Sequence, residues 1–422
     1  MWYYSKMICQ TITHKKTIHN LIKSTEDSNN IYGGNMKNLA VFFGGKSTEH
    51  DVSIITALQM IKILNSIDEY VVYPIYFNSA NEMMCAKNPN SLSIENFGKK
   101  FNNRCFYKVL LTSGDSALYK RHFGKYKKMC TIDVAINCCH GGVGENGSLS
   151  GMADICNFPV VCGDNASMAL CMDKRLTKIM CQNNNLGVVP YKCVELAHFL
   201  ESAEAILSEF NSFPYIVKPA NLGSSIGVSC VNNIVELKDA LNLVYQFDDL
   251  ALVEEKVQNL HEYNCSVIGS ARLNEILVSD IEEPKIKDTF LTFEDKYVSG
   301  EKNKGAKKCD FQKGGMQNLS RKFPADIADD LKCKIQRYSK QVFKLFNLSG
   351  VCRIDYLYDA KTGELYINEI NAVPGSLAYY FWTRHFGDES KFLRYLISMS
   401  EKEFLYKNGK NFTFFSSILD NL

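Results

Sequence analysis

Asp355, Glu369 and Asn371 put three hard oxygen donors within one short stretch, residues 350–375 (GVCRIDYLYDAKTGELYINEINAVPG), and Arg353 stands two residues before the first of them. Two carboxylates and an amide oxygen suit Mg²⁺, and a guanidinium beside them suits a phosphate or a negatively charged intermediate. To act together they need a hairpin. Runs 351–358 and 364–370 have strand composition and flank Asp-Ala-Lys-Thr-Gly at 359–363, whose glycine and polar residues favour a tight reversal. A turn closing near residues 360 and 363 sets Asp355 against position 368 or 369. Period-two alternation puts Glu369 with Asn371, and Arg353 with Asp355, on one face. A single acid there would be ordinary solvated charge; Arg-x-Asp facing Asn-Glu-x-Asn ahead of Pro-Gly favours a metal site.

Other segments carry chemistry that fits a phosphate-rich ligand. Lys218 ends an apolar run and opens Lys-Pro-Ala-Asn-Leu-Gly-Ser-Ser-Ile-Gly, where backbone N–H groups and the hydroxyls of Ser224 and Ser225 can face phosphate oxygens. The spacing does not match Gly-x-x-x-x-Gly-Lys-Ser/Thr, so this is not a P-loop. Glu254-Glu255-Lys256-Val257 closes a strand and can read an adenine edge through its backbone, and Glu262 can accept from ribose hydroxyls; exposed charge explains each equally well taken alone. Residues 293–308 form a long basic loop that could close over such a ligand or be solvated surface. Glu49, in the loop 44–51, either favours a helix N-terminus or holds a substrate ammonium, and Thr48 with Asp51 resembles a capping box. Cys138-Cys139-His140 has poor spacing for zinc.

The elements that must position these groups alternate in type. Strand 39–43, a Gly-rich loop and a helix through residue 64 are followed by strand 71–76. Strand 132–137, the Gly-rich loop 140–147 and a short helix at 149–155 repeat the pattern, which predicts a parallel sheet with ligands at its carboxyl edge. Between them, residues 80–130 read as a polar, lysine-rich insertion with some structure of its own and no motif. A helix is expected over 167–184, strands over 186–194 and 215–219, a helix over 234–247, and strands over 250–255 and 263–269. An amphipathic helix over 324–348, with Ile327, Leu331, Ile335, Tyr338, Val342 and Phe346 on one stripe, leads into the hairpin.

A chain of 422 residues predicts two or three domains. A net charge of +2 gives no reason to invoke nucleic acid, and no apolar run approaches the roughly 20 residues of a membrane span. Sixteen cysteines lie scattered without Cys-x-x-Cys pairs, as expected of reduced thiols in a cytoplasmic protein. Residues 1–35 are lysine-bearing and polar, and Met36 immediately precedes the first strand, so they read as a disordered tail or a start-site artefact.

In order along the chain, Phe-Gly-Gly-x-Ser-x-Glu-His at 43–50, His-Gly-x-x-Gly-Glu-x-Gly at 140–147, Met-Asp-Lys at 172–174, Val-Lys-Pro-x-x-x-Gly-Ser-Ser-x-Gly at 217–227 and the hairpin motifs at 353–375 resemble the D-alanine–D-alanine ligase family of the ATP-grasp superfamily. The resemblance implies an ATP-grasp fold: an N-terminal Rossmann-like α/β domain over 36–165 that holds the first amino acid, a small lobe over 166–254 and a catalytic lobe over 255–422. It implies that Lys174, Lys218 and Ser225 grip ATP phosphates, that Glu255 with the Lys256 and Val257 backbone reads adenine, and that Glu262 binds ribose. Lys296 would help close the loop. Asp355, Glu369 and Asn371 would hold two Mg²⁺ ions, with Mn²⁺ as a substitute. Glu49, Ser224 and Tyr297 would form a hydrogen-bonded set over the substrates, with Arg353 and the Gly375 N–H on the oxyanion. Glu49, His140, Gly375 and Tyr380 would line the amino-acid site. The implied reaction joins two D-alanines through an acylphosphate for peptidoglycan precursors, in a homodimer. One departure stands out: the stretch 376–382, with Tyr380, replaces a family stretch whose serine near position 380 helps bind the second substrate's carboxylate, a change that either leaves substrate choice as it is or alters it. That leaves D-serine, D-lactate or another acceptor open, and beyond them a non-catalytic ATP-binding protein on the same fold.

Overall fold

The computed structural model describes residues 36–97, 103–198, 213–284 and 321–410, and three sheets organise them. The first sheet is built from β1 (Lys37–Gly44), β2 (Tyr70–Phe77), β3 (Met83–Ala86), β4 (Phe106–Leu111), β5 (Ala117–His122), β6 (Lys125–Thr131), β7 (Val134–Asn137) and β8 (Val160–Val161). Its order is β6-β5-β4-β3-β2-β1-β7-β8. β1 is parallel to β2 and β7, and β7 to β8, as the repeated strand-loop-helix pattern requires. From β2 to β6 every pairing is antiparallel, so residues 80–130 are not an appendage but the outer half of this sheet. The lysines of β6 mark its exposed edge, where charge discourages pairing with another chain. Helix α1 (His50–Leu64) follows β1 and buries Val52, Ile54, Ala57, Met60, Ile61 and Leu64 against the core.

Helix α2 (Ser148–Cys156) follows the second Gly-rich loop. The helix expected over 167–184 is two, α3 (Asn165–Met172) and α4 (Lys174–Gln182). Asp173 breaks them with an extended backbone and caps α4 by accepting from Leu176 N–H at 3.0 Å. The second sheet comprises β9 (Tyr191–Glu195), β10 (Tyr215–Pro219), β11 (Ser229–Val231) and β12 (Leu250–Glu255), ordered β11-β10-β12-β9, with α5 (Ile234–Val244) packed on it. The strand expected from residue 186 starts only at Tyr191. Leu186 and Val188 are buried in irregular chain, where Gly187 O accepts from Ile367 N–H at 2.8 Å.

The third sheet contains β13 (Leu260–Ser270), β14 (Glu275–Pro284), β15 (Arg321–Lys322), β16 (Ser349–Asp359) and β17 (Glu364–Asn371), ordered β15-β14-β13-β16-β17. Helix α6 (Asp329–Leu345) backs it and is shorter at both ends than its apolar stripe suggests. Phe346 and Leu348 are buried in the same core without being helical, and Ile327 packs against it from the extended approach. After the hairpin come a 3₁₀ segment, Gly375–Phe381, and helices α7 (Thr383–Phe386) and α8 (Glu389–Asn408). The described cysteines are all free thiols.

Candidate active site

The hairpin forms as its composition requires. Gly363, at φ 75°, makes the left-handed turn and donates to Asp359 O at 2.8 Å. Across β16 and β17, Asp355 pairs with Glu369 and Arg353 with Asn371. A bulge takes up Asn368, since Tyr356 pairs with Ile367. Arg353 Nε and Nη2 donate to Asp355 Oδ1 and Oδ2, both at 2.7 Å, and Asn371 Nδ2 donates to Oδ2 at 3.0 Å. Burial opposes the Arg353 charge, but Asp355 beside it holds the guanidinium protonated. Among the described residues no group of three His, Cys, Asp or Glu side chains could hold a metal alone. Two carboxylates and an amide fit Mg²⁺ of the kind bound jointly with substrate phosphates, which completes its shell with oxygens the protein does not supply.

Above the hairpin, a cleft of about 300 Å³ separates the second sheet from the third. Lys174 and Lys218 enter it from α4 and β10, and Asp355 and Glu369 from the hairpin. Ser225, Glu255, Lys256, Val257 and Glu262 line its remaining wall. Lys174 Nζ donates to Leu222 O at 2.5 Å and lies 3.6 Å from Glu369. Lys218 Nζ lies 2.8 Å from Glu254 Oε1 and donates to Asn368 Oδ1 at 3.0 Å, so the bulge residue anchors the lysine. Lys178, which sequence reasoning passed over, sits 3.0 Å from the same Glu254 oxygen. Its spacing from Lys174, four residues along a helix, is the signal that both share a face. Burial works against the Glu254 charge, yet the two lysines hold its carboxyl below the usual range. Burial pushes Lys178 down. Lys218 and Glu254 line the cleft, whereas the buried Lys178 reaches the same carboxylate from outside that lining. Lys296 and Tyr297 lie outside the described residues.

In the loop between β1 and α1, the expected Thr48/Asp51 capping box is absent: the N-cap of α1 is Glu49, and its side chain makes no cap. Ser47 Oγ takes the Glu49 N–H at 3.0 Å instead, while the Glu49 carboxylate accepts a hydrogen bond from the Ser224 hydroxyl. A Cβ on Gly223 would sit 2.6 Å from Glu49 Oε2, so a side chain there would displace the Glu49 carboxylate. His140 does not face the cysteines beside it; Nε2 lies 2.9 Å from Thr56 Oγ1, which itself accepts from Ser376 N–H at 3.0 Å. Which of the Thr56 hydroxyl and Nε2 donates follows from the His140 tautomer. Burial, with Arg353 nearby, lowers the His140 pKa to about 4. Burial and the Glu49 charge push Glu145 up to about 8. Gly375 opens the turn in which Ser376, Leu377 and Ala378 take φ values of 53°, 49° and 49°, and this left-handed turn delivers Tyr380. Tyr380 is buried and donates to Glu282 Oε2 at 3.3 Å.

Two α+β units clasping a lysine-lined cleft over an acidic hairpin, behind an α/β unit that presents a carboxylate, make the architecture of an ATP-grasp enzyme. The chain matches the models described as D-ala D-ala ligase N-terminus over residues 38–163 and D-ala D-ala ligase C-terminus over residues 180–389, and it belongs to the D-alanine–D-alanine ligase family. It is 32% identical over 386 residues to the D-alanine–D-alanine ligase of Thermosipho africanus (strain TCF52B), covering 91% of this chain and 99% of that relative. In fold it resembles the D-alanine-D-alanine ligase from Coxiella burnetii (TM-score 0.72, 21% identity, 89% of this chain and 97% of that one). It likewise resembles the VanG D-Ala:D-Ser ligase from Enterococcus faecalis (TM-score 0.70, 24% identity, 87% and 100%). Because one fold carries both names, fold alone does not choose the acceptor.

Proposed function

We propose that this protein joins two D-alanines into D-alanyl-D-alanine at the expense of ATP, releasing ADP and phosphate, in peptidoglycan precursor synthesis. The observation that carries it is convergence: Lys174, Lys218, Asp355 and Glu369 line one cleft, and the Gly223–Ser224 loop at its mouth carries Glu49. Glu49 holds the ammonium of the first D-alanine, with Ser224, His140 and Gly375 around it. One carboxylate oxygen of that D-alanine attacks the γ-phosphorus of ATP, the bond to the β-phosphate oxygen breaks, and ADP leaves. The amine of the second D-alanine then attacks the acyl carbon, loses its proton, and expels phosphate as the C–O bond breaks. Arg353 and the Gly375 N–H face the tetrahedral oxyanion. Lys174 and Lys218 grip the phosphates, with Ser225 beside them, Glu255, Lys256 and Val257 at adenine and Glu262 at ribose. Asp355, Glu369 and Asn371 would hold two Mg²⁺ ions, or Mn²⁺, whose charge would offset that of the phosphates.

Support for turnover rather than mere binding is that every oxygen ligand, both phosphate lysines and Arg353 are in place. No described helix is long and apolar enough to cross a membrane, and we place the enzyme in the cytoplasm as a homodimer, a state that sedimentation measures. The test is incubation with ATP, Mg²⁺ and D-alanine, following phosphate and dipeptide mass together, then with D-serine or D-lactate added. Dipeptide from D-alanine alone supports the function. Product only with a mixed pair shifts the acceptor, a second reading that the Tyr380 substitution favours, and no turnover with any pair rejects the ligase.

A further inference from the structure

We propose that Arg321, stacked on Tyr380 and paired with Glu282, binds the carboxylate of the acceptor amino acid, an assignment that rests on the ligase function proposed above. The corner lies in line with the hairpin. Glu369 pairs with Asp355, Asp355 with Asn264, and Asn264 with Glu282, so one row crosses β17, β16, β13 and β14. Two strand spacings put Glu282 about 10 Å from Asp355, room for a phosphoryl group and one amino acid in line. Asn264 lines the cleft and donates to Glu282 Oε2 at 3.0 Å. Tyr380 and Glu282 also lie near enough to Arg353 to act on its charge, which places the corner beside the group assigned to the oxyanion.

Within the corner the roles separate. The Tyr380 hydroxyl is engaged by Glu282 and by Arg321, so it does not stand in as a free neutral hydroxyl for the serine expected near that position. The positive charge comes from Arg321: its Nη1 lies 2.5 Å from Glu282 Oε1, and its guanidinium carbon lies 4.2 Å from the centre of the Tyr380 ring. Glu282 fixes one edge of the guanidinium and the ring fixes its plane, which removes much of the entropy an arginine loses when it clamps a carboxylate. The Arg321 side chain is 11% exposed and that of Glu282 3%, so the pair is held out of bulk water. A planar fork held this way matches the two oxygens of a carboxylate.

The test pairs D-alanine as donor with two acceptors, D-alanine and D-alaninamide, and separates the products by mass. A charge-assisted contact predicts that the native enzyme prefers the carboxylate acceptor by about 10- to 100-fold in kcat/KM. The double variant Arg321→Gln/Glu282→Gln leaves no uncompensated buried charge, and its preference should fall towards unity with the donor KM unchanged. Tyr380→Phe keeps the ring under the cation and should keep the preference. Should the double variant not fold, Arg321→Lys, which keeps the charge and loses the fork, should show a reduced preference. The assignment is overturned if a folded double variant retains the preference, if it loses both acceptors by one factor, or if Tyr380→Phe abolishes the preference. Absence of any dipeptide from the native enzyme instead overturns the ligase function, and the Arg321 assignment with it.

Discussion

Arg353 and Asp355 show why residue type outweighs charge count at this site. A lysine at 353 would keep the charge but lose the fork that reaches both Asp355 oxygens. Arg353→Lys should therefore lower kcat by about 100-fold or more, the usual cost of one oxyanion donor, with a smaller change in the ATP KM. Steady-state kinetics on a variant with native circular dichroism checks this. Two further residues set a pH dependence. His140 is neutral in the fold, with its pKa moved from 6.5 to about 4, so its contribution to stability is lost as pH falls through that interval. Glu145 moves from 4.5 to about 8, so the folded state holds the extra proton and stability is lost as pH rises through that interval. The two slopes oppose each other up to pH 6.5, and above it Glu145 acts alone. Unfolding free energies from urea titration should fall between pH 6.5 and 8, by at most about 1.4 kcal/mol per pH unit, and Glu145→Gln should flatten the decline. At this scale the sequence was most legible, because Arg-x-Asp and Asn-Glu-x-Asn name their chemistry. Lys178 and Glu282 were not, because a lysine or glutamate announces neither its burial nor its partner.

Elements carry the distances between these groups. The loop at Gly223 lets the backbone press against Glu49, so Gly223→Ala should raise the donor KM at least tenfold, through a clash with the Glu49 carboxylate, while leaving nucleotide affinity nearly intact. Titrating D-alanine and ATP separately distinguishes the two. On α4, Lys178→Met removes one of the two cations on Glu254. Lys218 still compensates that carboxylate, so the loss of stability should stay below the roughly 3–5 kcal/mol of a wholly broken buried pair, and the ATP KM should rise. The hairpin register was readable to within one residue, and the bulge at Asn368 decided in favour of Glu369. Boundaries that misled did so for identifiable reasons. Apolar periodicity at 324–348 reported burial rather than helix, since Ile327, Phe346 and Leu348 pack on the same core from outside α6. The polar run 80–130 hid four short strands because most of their residues sit near an exposed edge.

For the molecule as a whole, the second and third sheets flank one cleft and the loop after β1 brings Glu49 to the Ser224 side of it, an order implied by motifs that recur in sequence from residue 43 to residue 375. Periodicity alone would have yielded an α/β unit and an unassigned remainder; the joint motif pattern supplied the clasp. Because the cleft spans two sheets, ATP with Mg²⁺ should raise the unfolding temperature, with about 2.7 kcal/mol of stabilisation at 100 times Kd, and Lys218→Ala should remove most of that shift. Differential scanning calorimetry checks both. In the proposed reaction the γ-phosphoryl group passes to a D-alanine carboxylate in this cleft. This transfer is tested most directly with D-alanine carrying ¹⁸O in its carboxylate, by mass analysis of the phosphate released. One ¹⁸O in each phosphate is expected, carried across when the acylphosphate is cleaved by the amine. Unlabelled phosphate would mean hydrolysis by water, and ¹⁸O in AMP would mean adenylation; either excludes the acylphosphate route.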